Sequence, residues 1–435
     1  MTATAASSLE ALGKAIAASR PADATHAALE AFRAKAPLLE VVRTAAVTAA
    51  RHPADPRVVP RGCALLASAA HLARPMAVLQ AVAYVASEPR SAMPAGPPLV
   101  VSGEITHLGR SFLFGVRAGH MDEAEAIFLG MLDERSERKM AGDMLFRAAI
   151  EDMGEGGRKL FIAVRSWQLA RALGFKDGRT VLRPAIEYLV GGPSDRTSYE
   201  RIMQLLGTEW VDLENLGSGG RPLDDAGRAI VASLAAASSA EASVAAVLGL
   251  LRDGYAASSI AEGLVVEAAR RVIAASGADR ERARGLLFAH AARFVLTFTR
   301  TSERLYALFQ AALRIRSPLS AATLPSVKES PRPEEAFRPL GVALEARKPL
   351  DAAARVHAYL SAGGPADGLL DLLADHACRD SCASNEGINL LLADACITEY
   401  RVSGAPEIPM ALASAIAASP KDTKAYESWR DSLGP

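Results

Sequence analysis

Aromatic residues are scarce, at 5% of 435 positions, and segments in which Val, Ile and Thr alternate with polar residues are scarcer still. A sheet needs such segments to cover its faces, so the expected class is neither all-β nor α/β. Neither sign of charge dominates, since 49 Lys and Arg face 49 Asp and Glu. Without a net field there is no general attraction to duplex phosphates or to an anionic membrane, and neither nucleic acid nor membrane is expected as a partner. Apolar runs stay short of the ~18 residues that span a bilayer. Glu10 and Lys14 interrupt the N-terminal stretch where a secretory signal keeps an apolar centre, so the expected location is cytoplasmic. Four cysteines in a chain of this length do not make a disulfide framework.

Catalytic signatures are equally thin. No Gly-x-Ser-x-Gly elbow is present, and G-S-G-G at 217–220 has the composition of a turn. Glu104 and His107 have the Glu-x-x-His spacing of bundle di-iron sites, but such sites need a second copy, and none occurs. His376, Cys378 and Cys382 in H-A-C-R-D-S-C, followed by Cys396, form the one metal-like grouping. It lacks the paired knuckles of a zinc site, and buried small cysteines are the plainer reading.

What the chain has in quantity is alanine and other good helix formers, interrupted by HPADPRVVP, SEPRSAMPAGPP, VGGPSDR and NLGSGGRPLDD. Each interruption pairs a helix stop with a new start. The expected fold is all-α, built from about twenty short helices in irregular helical-hairpin repeats. The Pro-rich segment 316–335 is expected to be a linker. It sets off an N-terminal region (1–100) and central repeats (101–315) from a C-terminal repeat (336–435). Windows 130–152, 250–272 and 358–380 share one order: helix end, polar turn, apolar helix, charged exit. Ala124, Ile127, Phe128 and Met131 fall on one face of the helix before the first window, and RTSERLYALFQ (300–310) is expected to be an exposed helix with a core stripe.

The stretch EDMGEGGRKLF (151–161) packs three glycines ahead of Arg158 and Lys159. A phosphate loop requires a preceding strand and a hydroxyl after its lysine, whereas here the preceding segment reads as helix and Leu160 follows. The glycines are expected to end one helix and admit the next. Leu160, Val164 and Trp167 share the apolar face of that next helix, which predicts a buried Trp167.

From Gly157 the chain resembles a family of uncharacterised bacterial helical proteins, some fused to a Rieske domain. Gly157, Lys159, Trp167, Gly174, Val181, Leu182 and Arg183 fall in register with it without a gap. A wider resemblance reaches the questin-oxidase-like proteins, in which histidines and a carbamylated lysine hold a non-haem iron. The resemblance implies that Arg158, Thr297 and Ile388 stand at histidine positions and Leu391 at the lysine position. None of these offers iron an effective ligand.

The expectation is therefore a metal-free, cofactor-free binding or interaction protein. Arg158, Arg165, Thr297 and Arg183 would contact a small anionic ligand, unless the partner is a protein. Ion pairing of the arginines with neighbours such as Glu151, Asp152 and Glu155 is the other reading. The alternative function is an oxidoreductase whose metal is held by other residues.

Overall fold

The computed structural model describes residues 2–433 other than 56–59, 92–94, 97–98, 134–137, 217–218, 278, 317–331 and 381–384. Among the described residues there are 23 α-helices and no strand, with only two isolated β-bridges. The fold is all-α. Alanine accounts for much of the interior: Ala45, Ala46, Ala64, Ala69, Ala81, Ala261, Ala353 and Ala411 are at most 2% exposed. Small side chains at these positions let helices pack closely, so few aromatics are needed to fill the core.

Two compact units emerge. One comprises Met1–Asp195, Cys382–Gly387 and Asp422–Pro435, and the other Arg196–Ser381 and Ile388–Lys421. Their boundary at Asp195 and Arg196 falls inside the stretch 101–315 that composition groups together. Most of the Pro-rich segment 316–335 lies outside the described residues, and a helix begins behind it at Pro333.

The three sequence windows each hold a helix pair: Met121–Asp133 with Arg138–Ile150, Ala240–Arg252 with Ala257–Ala274, and Pro349–Ser361 with Ala366–Ala377. In the first unit Ala124, Ile127, Phe128 and Met131 are all buried. Trp167 is 3% exposed and sits edge-on to Phe146 and Phe175, at centroid distances of 6.0 and 5.1 Å.

One expectation is corrected in the second unit. The helix Leu305–Arg314 is not exposed with a single stripe; Leu305 and every residue from Ala307 to Ala312 are buried, Gln310 included. Gln310 is tolerated because its amide oxygen accepts a hydrogen bond from Ser198 Oγ at 2.8 Å.

The glycine stretch is a left-handed corner. Glu155, Gly156 and Gly157 have φ of 50°, 76° and 82°, and the amides of Gly156 and Gly157 both donate to the Met153 carbonyl. Those amides are thus committed internally and do not form a phosphate cradle. Just before the corner, a Cβ on Gly154 would stand 2.1 Å from the Pro193 carbonyl oxygen, so no side chain fits.

Behind the corner lies a buried polar knot. Lys159, 1% exposed, donates to Asp152 Oδ2 at 2.7 Å, to the Leu189 carbonyl at 3.0 Å and to the Gly192 carbonyl at 3.3 Å. Asp152 Oδ1 accepts the Gly154 and Asp195 amides at 2.8 and 2.9 Å. The ammonium's three protons meet three acceptors, and the knot ties the corner to the end of the Gly178–Gly191 helix.

Candidate functional site

The sequence-expected ligand residues fall in both units. In the first, Arg158 is nearly buried, with Nη1 3.6 Å from Glu155 and Nη2 3.7 Å from Glu386. Glu155 in turn accepts the Tyr188 hydroxyl at 2.6 Å. Burial first, and then this carboxylate, push the Tyr188 phenol far above its usual value.

Arg165 is 2% exposed. It donates to Gln168 Oε1 at 3.0 Å and lies over the Phe161 ring at 5.3 Å. Arg183 Nε stands 2.6 Å from Glu125 Oε1 and 3.4 Å from Glu187 Oε1, and its Nη1 donates to the Gly96 carbonyl. Glu187 lacks full compensation: burial raises its carboxyl to about 7, against the pull of Arg183 and with the help of Glu125. Carboxylates and interior packing therefore answer the first-unit arginines.

The metal-like grouping resolves in the second unit. His376 is buried with Nδ1 3.3 Å from Glu345, and burial, followed by the charge of Arg379, lowers it to about 4. Cys378 and Cys396 are buried and form no disulfide, while Cys382 lies outside the described residues. Ile388 and Leu391 are each 7% exposed and belong to the apolar core. Among the described residues no group of three His, Cys, Asp or Glu is placed to hold a metal ion. Glu104 is a helix cap that accepts the Thr106 and His107 amides at 2.9 and 2.7 Å.

Thr297 is the expected residue that borders open space. It lines a groove of about 1010 Å³ in the second unit together with Arg300, Arg304, Ser258, Glu214 and Glu303. A backbone clasp borders the groove at Gly220 and Ala256. Arg221 donates to the Gly254 carbonyl at 2.8 Å, and Ala256 donates back to the Arg221 carbonyl at 2.9 Å. Gly220, with φ of 141°, permits this approach, since a Cβ there would lie 2.5 Å from the Ala256 nitrogen.

Side chains reinforce the clasp. The Arg221 guanidinium lies 3.8 Å from the Tyr255 ring centroid, and the Tyr255 hydroxyl donates to Asp224 at 2.6 Å. The bond from Tyr255, followed by the Gly227 amide and Arg221, holds Asp224 well below the usual carboxylate range.

From the clasp the 18-residue helix Ala257–Ala274 starts directly into the groove. Its N-cap residue, Ala256, has no side chain that could accept a bond. The amides of Ala257 and Ser258 consequently have no acceptor among the described residues. Opposite charges also line the groove. Arg304 Nη1 donates to the Leu296 and Thr299 carbonyls at 3.2 and 2.7 Å and so caps the helix Arg280–Phe298. Arg300 is exposed and has neither hydrogen bond nor ion pair among the described residues. The Thr297 hydroxyl donates to the Phe294 carbonyl at 2.7 Å, so its proton is committed and it supplies no donor to an anion in this arrangement.

Compared with known protein families, curated proteins and solved structures, the chain matches none. The groove was missed in the sequence because its donors are backbone amides. The signal available was a helix that starts at Ala256–Ala257, where Ser, Thr, Asp or Asn is the usual cap.

Proposed function

We propose that this chain is a metal-independent binding protein whose second unit holds a small ligand through a carboxylate or phosphate group. The observation that carries the reading is a pair of acceptor-less amides, Ala257 and Ser258, opening onto a groove beside the uncommitted cation Arg300. Helix amides and the positive end of the helix dipole favour an anion there, and Arg300 adds charge-assisted donors. Glu214 also lines the groove, which disfavours ligands of high negative charge. The ligand class is accordingly a monocarboxylate, dicarboxylate or phosphate monoester, and not a polyphosphate.

The family resemblance enters this reading in one respect. At the positions it assigns to metal ligands stand Arg158, Thr297, Ile388 and Leu391. A guanidinium, a hydroxyl and two alkyl groups make no iron site. We place the chain as a relative of the questin-oxidase-like proteins that retains helical architecture and binds without the metal. Elemental analysis of freshly purified protein, together with calorimetric titration of succinate and phenyl phosphate, tests both halves. Expected are less than ~0.1 equivalents of iron or manganese and saturable binding of at least one probe. One equivalent of tightly held iron would replace this reading with the oxidoreductase one.

A further inference from the structure

We propose a second, separate ligand site in the second unit: a cavity of about 400 Å³ that takes a small organic ammonium ion. It lies along the side of the same Ala257–Ala274 helix, whose residues Ser259, Glu262, Val266 and Arg270 face it at successive helical intervals. Residues of the Asp225–Ser233 helix and of the segment 403–407 complete the wall. The volume falls within the ~300–1,000 Å³ of small-molecule sites, and apolar side chains such as Val231, Val266 and Pro406 supply much of the lining.

The charges decide which ligand fits. Arg270 is bound to Glu407 at 2.8 Å and to Glu267 at 3.5 Å, and Glu267 is further held by Arg271 Nε at 2.9 Å. Arg228 donates to the Leu223 carbonyl at 2.7 Å and to Asp225 at 2.6 Å. Both cations at the cavity are therefore committed, as are Glu267 and Glu407. Glu262 is the exception: partly buried, it has no hydrogen bond or ion pair among the described residues. Beside it, Ser259 Oγ accepts the Leu223 amide at 2.8 Å.

Three carboxylates and two guanidinium groups line the cavity, and with the other four paired, the unpaired Glu262 carboxylate beside Val231, Val266 and Pro406 attracts a cation that carries its own apolar body. A primary ammonium with a compact alkyl or cyclic group meets both demands. The inference does not rest on the anion groove, because no charge of one site serves the other.

Butylammonium and cyclohexylammonium, titrated calorimetrically against butanol and cyclohexanol, test the proposal. The expected result is saturable binding of an ammonium probe that exceeds its alcohol counterpart. In E262Q that affinity falls by about tenfold or more, with the thermal midpoint and alcohol binding unchanged. R300A should leave ammonium binding intact. Equal affinity of ammonium and alcohol, equal affinity of E262Q and wild type, or no ammonium binding at all would overturn the proposal. Loss of ammonium binding in R300A would overturn its location.

Discussion

Replacing Lys159 by methionine removes three hydrogen bonds at once while keeping most of the side-chain volume. Asp152 is then left buried with two backbone amides, the Ser194 side chain and no cation, and the Leu189 and Gly192 carbonyls lose their donor. Breaking one side of a buried pair costs about 3–5 kcal/mol, because the abandoned charge keeps its desolvation penalty. For a unit of this size each kcal/mol lowers the midpoint by about 2–4 °C, which gives a fall of roughly 6–20 °C in a thermal scan.

The pH dependence gives a second readout. Burial acts to raise Asp152, but the Lys159 ammonium, followed by the Asp195 amide, the Ser194 side chain and the Gly154 amide, all donating to the carboxylate, holds its pKa below the usual value. Such a carboxylate stabilises the fold above the unfolded value near ~3.9, and that contribution disappears as pH falls through the folded value. Acid should therefore destabilise wild type more steeply than K159M below about pH 4. A loss under ~1 kcal/mol in K159M, with an unchanged acid limb, would refute the reasoning.

Trp167→Ala should cost about 3–5 kcal/mol by emptying a packed aromatic site, with little loss expected only if the site collapses. Fluorescence separates the environments: a variant retaining only Trp167 should emit at a shorter wavelength than one retaining only Trp210, which is 93% exposed. Glu187 is raised to about 7, so the native state holds a proton that the unfolded chain releases near pH 4.5, and stability falls as pH rises between these values. E187Q should remove that decline and gain on the order of 1–3 kcal/mol at pH 8; an unchanged pH profile would contradict the buried, under-compensated carboxylate. Gly154→Ala should destabilise by about 1–3 kcal/mol because the Pro193 carbonyl must move, as chemical denaturation would show.

Much of the architecture was legible because it depends on local pattern. The periodicity of Ala124, Ile127, Phe128 and Met131, and of Leu160, Val164 and Trp167, marks buried faces without knowledge of their partners. The glycine run likewise announced a corner between helices. Less legible was anything set by distant contacts. Segments Cys382–Gly387 and Asp422–Pro435 belong to the unit formed by the first 195 residues, and no composition shift announces this. Leu305–Arg314 carries polar residues that suggest a solvent face, but Ser198, more than a hundred positions away, donates to the Gln310 amide oxygen inside.

The site was harder still. Charge in the sequence drew attention to Arg158, Lys159, Arg165 and Arg183, where the fold commits these cations to carboxylates, carbonyls and ring faces. Arg300, inconspicuous in the sequence, is the cation left uncommitted beside the groove, and its companions Ala257 and Ser258 contribute backbone atoms that no residue motif encodes.

The most direct test of the binding account is titration of the best oxyanion probe into Ala257→Pro. Proline is tolerated at the first position of a helix, and Ala256 already has the extended φ and ψ of −67° and 132° that suit a residue before proline. The substitution thus deletes one amide donor from the groove and leaves the helix in place. The account predicts an unchanged helical spectrum and an affinity reduced by about tenfold, with a comparable reduction in R300A. Wild-type affinity in a folded A257P protein would contradict it.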